Sequence, residues 1–162
     1  MLLFELNSLN AQLNSAMDRF DERILLELKA DGRVSNIELS ERIGLSPSAT
    51  LRRVQELEKQ GVIQGYRAVL DNALMGVGFI AYVSIGLSSH SKAAQQEFED
   101  HVSLEKEVVE CHNITGANEY LLRVETQDLP SYKKFHADVL GECPQVQSIT
   151  TMVVMDTPKD ER

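Results

Sequence analysis

Residues 46–60 read SPSATLRRVQELEKQ, and the fold of the first half of the chain turns on them. Ser46 suits a helix N-cap, and Pro47 at the first helical position loses nothing, because an N–H there has no intrahelical acceptor. At 100° per residue Leu51, Val54 and Leu57 fall on one face with Thr50 at its border, and Ser48, Ala49, Arg52, Arg53 and Glu56 fall on the other. Gly61 stops the helix. Upstream, Ser35-Asn36-Ile37-Glu38 reads as a capping box: the Ser35 hydroxyl accepts from the Glu38 N–H, and the Glu38 carboxylate reaches back to the N–H of Ser35. That helix runs to about Ile43, and Gly44 permits a sharp turn because it adopts positive φ at little cost. Asp18 to Ala30 carries Phe20, Ile24, Leu25 and Leu28 at helical spacing and ends at Asp31-Gly32. Three helices with a glycine turn before the third predict a helix-turn-helix.

Downstream, Val62 to Leu70 (VIQGYRAVL) reads as a strand or short β-ribbon interrupted at Gly65, and Asp71 to Gly78 (DNALMGVG) as a linker. A weak internal repeat follows. Phe79–Leu87 is a strand, Ser91–Val102 a helix and Glu107–Thr115 a strand; Glu119–Thr126, Asp128–Leu140 and Val146–Met155 repeat that order. An offset of 37 residues aligns Phe98 with Phe135, Val102 with Val139, Glu105 with Glu142 and Val109 with Val146. The order βαββαβ is that of a ferredoxin-like sheet with both helices on one face. The other face needs a cover, most easily a second copy of itself. The expected class is α+β: an arm or tail over 1–17, a winged-helix-like helix-turn-helix domain over 18–70, a linker over 71–78, a ferredoxin-like domain over 79–156 and a tail over 157–162. Met1 to Ala16, with Leu2, Leu6, Leu9 and Leu13, reads as a short helical arm or a loose, dispensable tail.

Composition narrows the function. Of 162 residues 43% are hydrophobic and 25% charged, ordinary globular usage that argues against disorder. No run of about 18 apolar residues predicts a membrane span. The opening MLLFELNSLN lacks a basic flank and makes a poor signal peptide. Cys111 and Cys143 show no metal-ligand spacing, and two thiols without a signal point to the reducing cytoplasm. Residues 1–70 carry a net charge of −1 and residues 71–162 one of −8, so the two halves are expected to do different work. His90, His101, His112 and His136 are scattered without HxxxH or HExxH, and no GxGxxG or P-loop occurs, so neither a metal nor a cofactor is expected.

In a helix-turn-helix the N-terminal end of the third helix reads base edges in the major groove. Ser46, Ser48 and Ala49 are small enough there for close approach. Arg52 and Arg53 suit guanine edges or phosphates, and Arg33, Ser35 and Asn36 at the start of the second helix suit phosphates. The same residues are compatible with a plain three-helix packing unit carrying solvated arginines.

The run LSERIGLSPSATLRRVQELEKQGVIQGYRAVLD, Leu39 to Asp71, resembles the DNA-binding half of the Lrp/AsnC family of bacterial and archaeal transcription regulators. ECHNITGANEYLLRVET, Glu110 to Thr126, resembles that family's effector-binding module, and the likeness spans about Asp18 to Asp156. The resemblance implies a helix-turn-helix reader of double-stranded DNA, a β-ribbon linker, and a second domain that binds a small effector, typically an amino acid. It implies dimers that assemble into octamers, with effector sites between dimers around the loop joining the two middle strands. In this chain the loop is Thr115 to Tyr120: Gly116 allows close backbone approach, and loop N–H groups suit a carboxylate. Ala117 and Asn118 line it, Glu119 suits an ammonium group, and Tyr120 closes it. The family often has an aromatic at position 118 and Asp at 119, so the pocket here is less aromatic and its charge is shifted. Ser148, Thr150 and Thr151 on the last strand are further pocket candidates, or simply polar positions alternating along it. The loop also reads as a Gly/Asn hairpin turn with a solvated glutamate.

Two other functions compete with a regulator. Haem-biosynthesis decarboxylases resemble this family in fold and length, but tetrapyrrole chemistry asks for His and Arg around a cavity, and only His90 lies near the linker and first strand. An assembly or effector-sensing protein without DNA binding would not need Ser46, Ser48, Arg52 and Arg53. The expected protein is a non-enzymatic regulator in which a ligand between dimers alters how many DNA-reading helices engage at once.

Overall fold

The computed structural model describes residues 17–160, so the expected arm or tail over 1–16 lies outside the described residues. The chain divides into two compact units, the division falling between Ala68 and Val69.

The first unit holds three helices, α1 (Arg19–Ala30), α2 (Asn36–Ile43) and α3 (Pro47–Lys59). Asp18 caps α1 by accepting from the N–H groups of Phe20 and Asp21, and Asp21 accepts from the Asp18 N–H in return. At α2 only half of the expected box forms. Ser35 Oγ accepts from the Glu38 N–H at 3.2 Å, but the Glu38 carboxylate turns forward to Arg42 at 2.7 Å, since an i,i+4 guanidinium offers it a stronger partner than a neutral N–H. Gly44, at φ 77°, closes α2 in the left-handed region. Ile24, Leu39, Ile43 and Leu57 form the core, with Met17, Leu25, Leu28, Val34, Leu45, Val54, Val62 and Ile63 packed around them.

The packed face of α3 is rotated from the expected one. Thr50 and Leu57 are buried and Val54 half-buried, at i, i+4 and i+7, while Leu51 is 47% exposed. Thr50 tolerates complete burial because its hydroxyl donates to the Ser46 carbonyl at 3.1 Å, leaving only its methyl to pack.

The expected strand or ribbon over Val62–Leu70 does not form among the described residues. Residues 64–70 have no regular secondary structure and are exposed, and a strand exists only where a neighbour completes its ladder. Tyr66 ties this stretch to α3 through its hydroxyl, which donates to Glu58 at 3.0 Å. Residues 71–78, the expected linker, form a hydrogen-bonded turn: Asp71 takes the N–H groups of Leu74 and Met75, and Val77 donates to the Asn72 carbonyl.

The second unit follows the repeat: β1 (Phe79–Leu87), α4 (Lys92–Ser103), β2 (Val108–Asn113), β3 (Tyr120–Thr126), α5 (Leu129–Phe135) and β4 (Val146–Val153). After Phe135 the helix widens into a π-helical turn, His136–Leu140, so the expected single helix is two geometries in series. The strands form one antiparallel sheet in the order β2-β3-β1-β4. The offset of 37 carries one N-cap onto the other: Ser91 accepts from Ala94 and Asp128 from Ser131. Alternate residues Ala81, Val83, Ile85 and Leu87 of β1 and Tyr120, Leu122 and Val124 of β3 pack with Phe98, Val102, Tyr132, Phe135 and Leu140. On the opposite face Ile80, Tyr82 and Leu121 are half-buried and Met152 is 47% exposed. No described helix is long and apolar enough to cross a membrane.

Candidate nucleic-acid interface and ligand loop

The exposed side of α3 begins at its cap. Ser46 Oγ accepts from the Ala49 N–H at 3.3 Å and stands 3.2 Å from Ser48 Oγ, so both hydroxyls sit where the helix presents its free N–H groups. One turn on, Leu51 and Arg52 are exposed, and Gln55 follows at i+7 from Ser48. Arg52 makes no side-chain hydrogen bond or ion pair among the described residues. Leu51 and Gln55 were missing from the expected interface. Leu51 was assigned to the core by its apolarity, and only the buried Thr50 shows which way the helix is turned.

The other expected contacts divide. Arg33 is exposed, and its backbone N–H donates to Asp31. Ser35 is spent on capping α2. Asn36 donates through Nδ2 to the Pro47 carbonyl at 2.8 Å, tying the first turn of α2 to the first turn of α3. Arg53 departs most from expectation. Its guanidinium reaches Asp18 Oδ2 at 2.9 Å and Asp21 Oδ1 at 2.8 Å, with its carbon 5.5 Å from the Phe20 ring centre. Asp21 first, and Asp18 after it, hold the Arg53 charge more firmly than in water. The Asp18 carboxyl lies below the usual carboxylate range, chiefly because it accepts the Asp21 N–H. Arg42 is likewise committed, to Glu27 and Glu38. Arg23 donates to the carbonyls of Arg42 and Ile43, fastening α1 to the end of α2. Of the two adjacent arginines on α3, then, one faces solvent and one is locked to α1.

In the second unit the expected loop joins β2 to β3. Ile114 donates to the Glu119 carbonyl at 2.7 Å and Glu119 donates to the Ile85 carbonyl at 3.0 Å, which pins both ends. Between them Gly116 takes φ 147°, and the N–H groups of Thr115, Gly116, Ala117 and Asn118 donate to no acceptor among the described residues. Asn118 Nδ2 donates to Ser84 Oγ at 2.7 Å, and its Oδ1 faces Ser148 Oγ at 3.4 Å. Thr150, opposite Ser84 in the ladder, is exposed on the same face. Gly86 makes this possible: a Cβ there would overlap the Ser148 hydroxyl and stand 2.9 Å from Asn118 Oδ1. Ser84 and Gly86 were not among the expected residues, although a glycine inside a strand signals a close approach.

Two expected loop residues have other work. Glu119 is not solvated: Oε2 accepts the Leu87 N–H at 2.7 Å and Oε1 meets Nδ1 of the exposed His90 at 2.9 Å. Tyr120 belongs to the core rather than the loop surface, because strand alternation sends it to the helix side. It stacks 4.7 Å from Phe98 and donates to Glu99 at 2.6 Å. Burial and the Glu99 carboxylate push its phenol up to about 12. Thr151 also points to the helix side, sharing a 2.5 Å hydrogen bond with the Tyr132 hydroxyl. Two hollows, of about 440 and 640 Å³, lie between α4 and β2 and beside α5 and β4. Gly116, Ala117, Asn118 and Glu119 line neither.

Comparison with known proteins agrees with this geometry. A family model described as the Lrp/AsnC ligand binding domain matches residues 80–162, and one described as winged helix-turn-helix DNA-binding matches residues 17–64. The leucine-responsive regulatory proteins of Escherichia coli K12 and Klebsiella pneumoniae are each 40% identical over 143 residues, 88% of this chain and 87% of theirs. A transcriptional regulator from Neisseria meningitidis, solved as a complex with L-Met, is 33% identical with a TM-score of 0.86 over 90% of this chain and 94% of its own. An AsnC family regulator from Agrobacterium tumefaciens is 32% identical with a TM-score of 0.84 over 89% and 94%. These relatives are regulators and not enzymes, which removes the decarboxylase reading. The chain belongs to the Lrp/AsnC family: it is a DNA-binding transcription regulator whose second half is that family's ligand-binding domain.

Proposed function

We propose that the protein reads its operator through Ser46, Ser48, Ala49, Leu51, Arg52 and Gln55 of α3, with Arg33 on phosphate, and that an amino acid bound at the 114–119 loop regulates it. The observation that carries the DNA reading is the unpaired guanidinium of Arg52 on the exposed side of a capped helix, beside arginines that are already paired. A free guanidinium can meet guanine O6 and N7 at no cost in broken ion pairs.

The ligand reading rests on the four unengaged loop N–H groups at Gly116, a ready receptor for a carboxylate. Asn118, Ser148 and Thr150 offer polar groups beside them, and Glu119 meets an ammonium group if His90, 79% exposed, swings aside. The L-Met complex of the Neisseria relative favours an amino acid as the effector. A second copy completes this open site and covers the half-buried face of Ile80, Tyr82, Leu121 and Met152, giving a dimer that assembles to an octamer in the cytoplasm. Such a ligand shifts assembly only by its differential affinity for the two states.

The test begins with duplexes selected from a random library by the full chain. Arg52→Ala should cost about 1–3 kcal/mol of discrimination between selected and scrambled duplex, the worth of one bidentate base contact, and leave the oligomer intact by light scattering. Unchanged discrimination refutes the interface. A thermal-shift panel of the twenty amino acids tests the effector, since a native-state ligand raises stability by mass action.

A further inference from the structure

We propose that Arg53 is a positioning residue: it fixes the rotation of α3 about its own axis and does not contact DNA. The inference rests on the reading that α3 enters the major groove.

Its partners are themselves anchored by hydrogen bonds. Asp18 accepts backbone N–H groups on Oδ1 and Arg53 on Oδ2, and Asp21 accepts the Asp18 N–H on Oδ2 and Arg53 on Oδ1. Each carboxylate thus spends one oxygen on capping α1 and the other on α3. The guanidinium is a rigid planar fork, so two anchored acceptors determine its orientation as well as its position. The Phe20 ring backs it. Arg53 is only 27% exposed at its side chain, and a cation facing two carboxylates gains little from a phosphate.

Arg52 is the next residue, one helical step of 100° away, so whatever fixes the azimuth of Arg53 fixes that of Arg52. At a side-chain radius of about 6 Å, a 20° rotation of α3 moves a tip by about 2 Å, more than a hydrogen bond survives. The packing of Thr50, Val54 and Leu57 and the hydrogen bond from Asn36 to the Pro47 carbonyl oppose such a turn from the buried side of α3. The two-point ion pair resists it through geometry.

The full chain is assayed on a selected duplex and on its scrambled counterpart, each over a salt series. Arg53→Met keeps the aliphatic stem and should lower the ratio of the two affinities about tenfold, the scale of one lost base contact. Its salt slope on the scrambled duplex should not change. Arg53→Glu, which sets a third carboxylate against Asp18 and Asp21, should do at least as much damage. If the Arg53→Met slope falls by about 1, Arg53 contacts phosphate and the inference fails. An unchanged ratio in Arg53→Met also overturns it, and this variant decides the matter even if Arg53→Glu does not fold. An unchanged ratio in Arg52→Ala is a separate outcome, which refutes the recognition-helix reading itself.

Discussion

Ile24→Ala should disable DNA binding without disabling the rest of the molecule. Ile24 is fully buried, and its core partners Leu39, Ile43 and Leu57 come from α2 and α3, so it is the most deeply buried apolar side chain of α1 against both other helices. Removing three buried carbons from such a site costs about 2–5 kcal/mol, the transfer term plus the cavity left behind. A unit of about 50 residues at 0.05–0.15 kcal/mol per residue has only about 2.5–7.5 kcal/mol to lose. A cost near 3 kcal/mol shifts its folding equilibrium more than a hundredfold and, at the lower end of that range, leaves it close to the midpoint. The second unit has a separate core, built on Val83, Ile85, Phe98, Leu122 and Phe135, which the substitution does not touch. Calorimetry of the variant should show one transition moved down steeply and another left in place. Operator affinity should fall in proportion to the unfolded fraction, and the oligomer should persist. Ile24→Val, which removes one methyl group, should cost about 1 kcal/mol and preserve binding. A single transition displaced as a whole, or full operator binding by Ile24→Ala at the assay temperature, would refute the reasoning.

Two further perturbations probe the second unit. Gly86→Ala should drive the Ser148 hydroxyl and Asn118 off the β1 surface, cost about 1–3 kcal/mol as an overpacked site, and blunt amino-acid response while leaving duplex affinity intact; an unaltered ligand titration would locate the site elsewhere. The Tyr120 phenol, ordinarily near 10, is raised to about 12, so the folded state holds this proton more tightly than the unfolded one. The stability this confers is complete below pH 10 and is lost as pH rises through 12. The denaturation midpoint should fall across that window for the native chain and fall less for Tyr120→Phe, and an equal pH dependence would refute the assignment.

Much of this protein is written in local chemistry. Ser35, Ser46, Ser91 and Asp128 mark helix starts because a short side-chain acceptor beside free N–H groups is favourable whatever the surroundings. The alternation of β1 and β3 sorts residues to two faces because the strand period is two. The repeat of 37 residues held at the caps, Ser91 onto Asp128, and in the core, Phe98 onto Phe135. Those signals are sufficient for the order of elements, and the family follows from the resemblance of the runs 39–71 and 110–126.

What they leave open are questions about partners far apart in the chain. Whether Glu38 closes its own cap or turns to Arg42 depends on which donor lies nearer once Glu27, fifteen positions from Arg42, holds that guanidinium. Arg52 and Arg53 are identical in type and adjacent, yet one is free and the other is bound to acids more than thirty positions away. The ribbon expected over 62–70 has β propensity but finds no neighbouring edge in its own unit. Sequence alone determined the helix starts and the βαββαβ order, because those follow from local propensity and periodicity, while the kind of molecule came from resemblance to a family. The tertiary structure alone decided which side of α3 faces outward, which arginine is free and which loop residue is core, because burial and ion pairing are set by contacts between distant segments that no local pattern encodes.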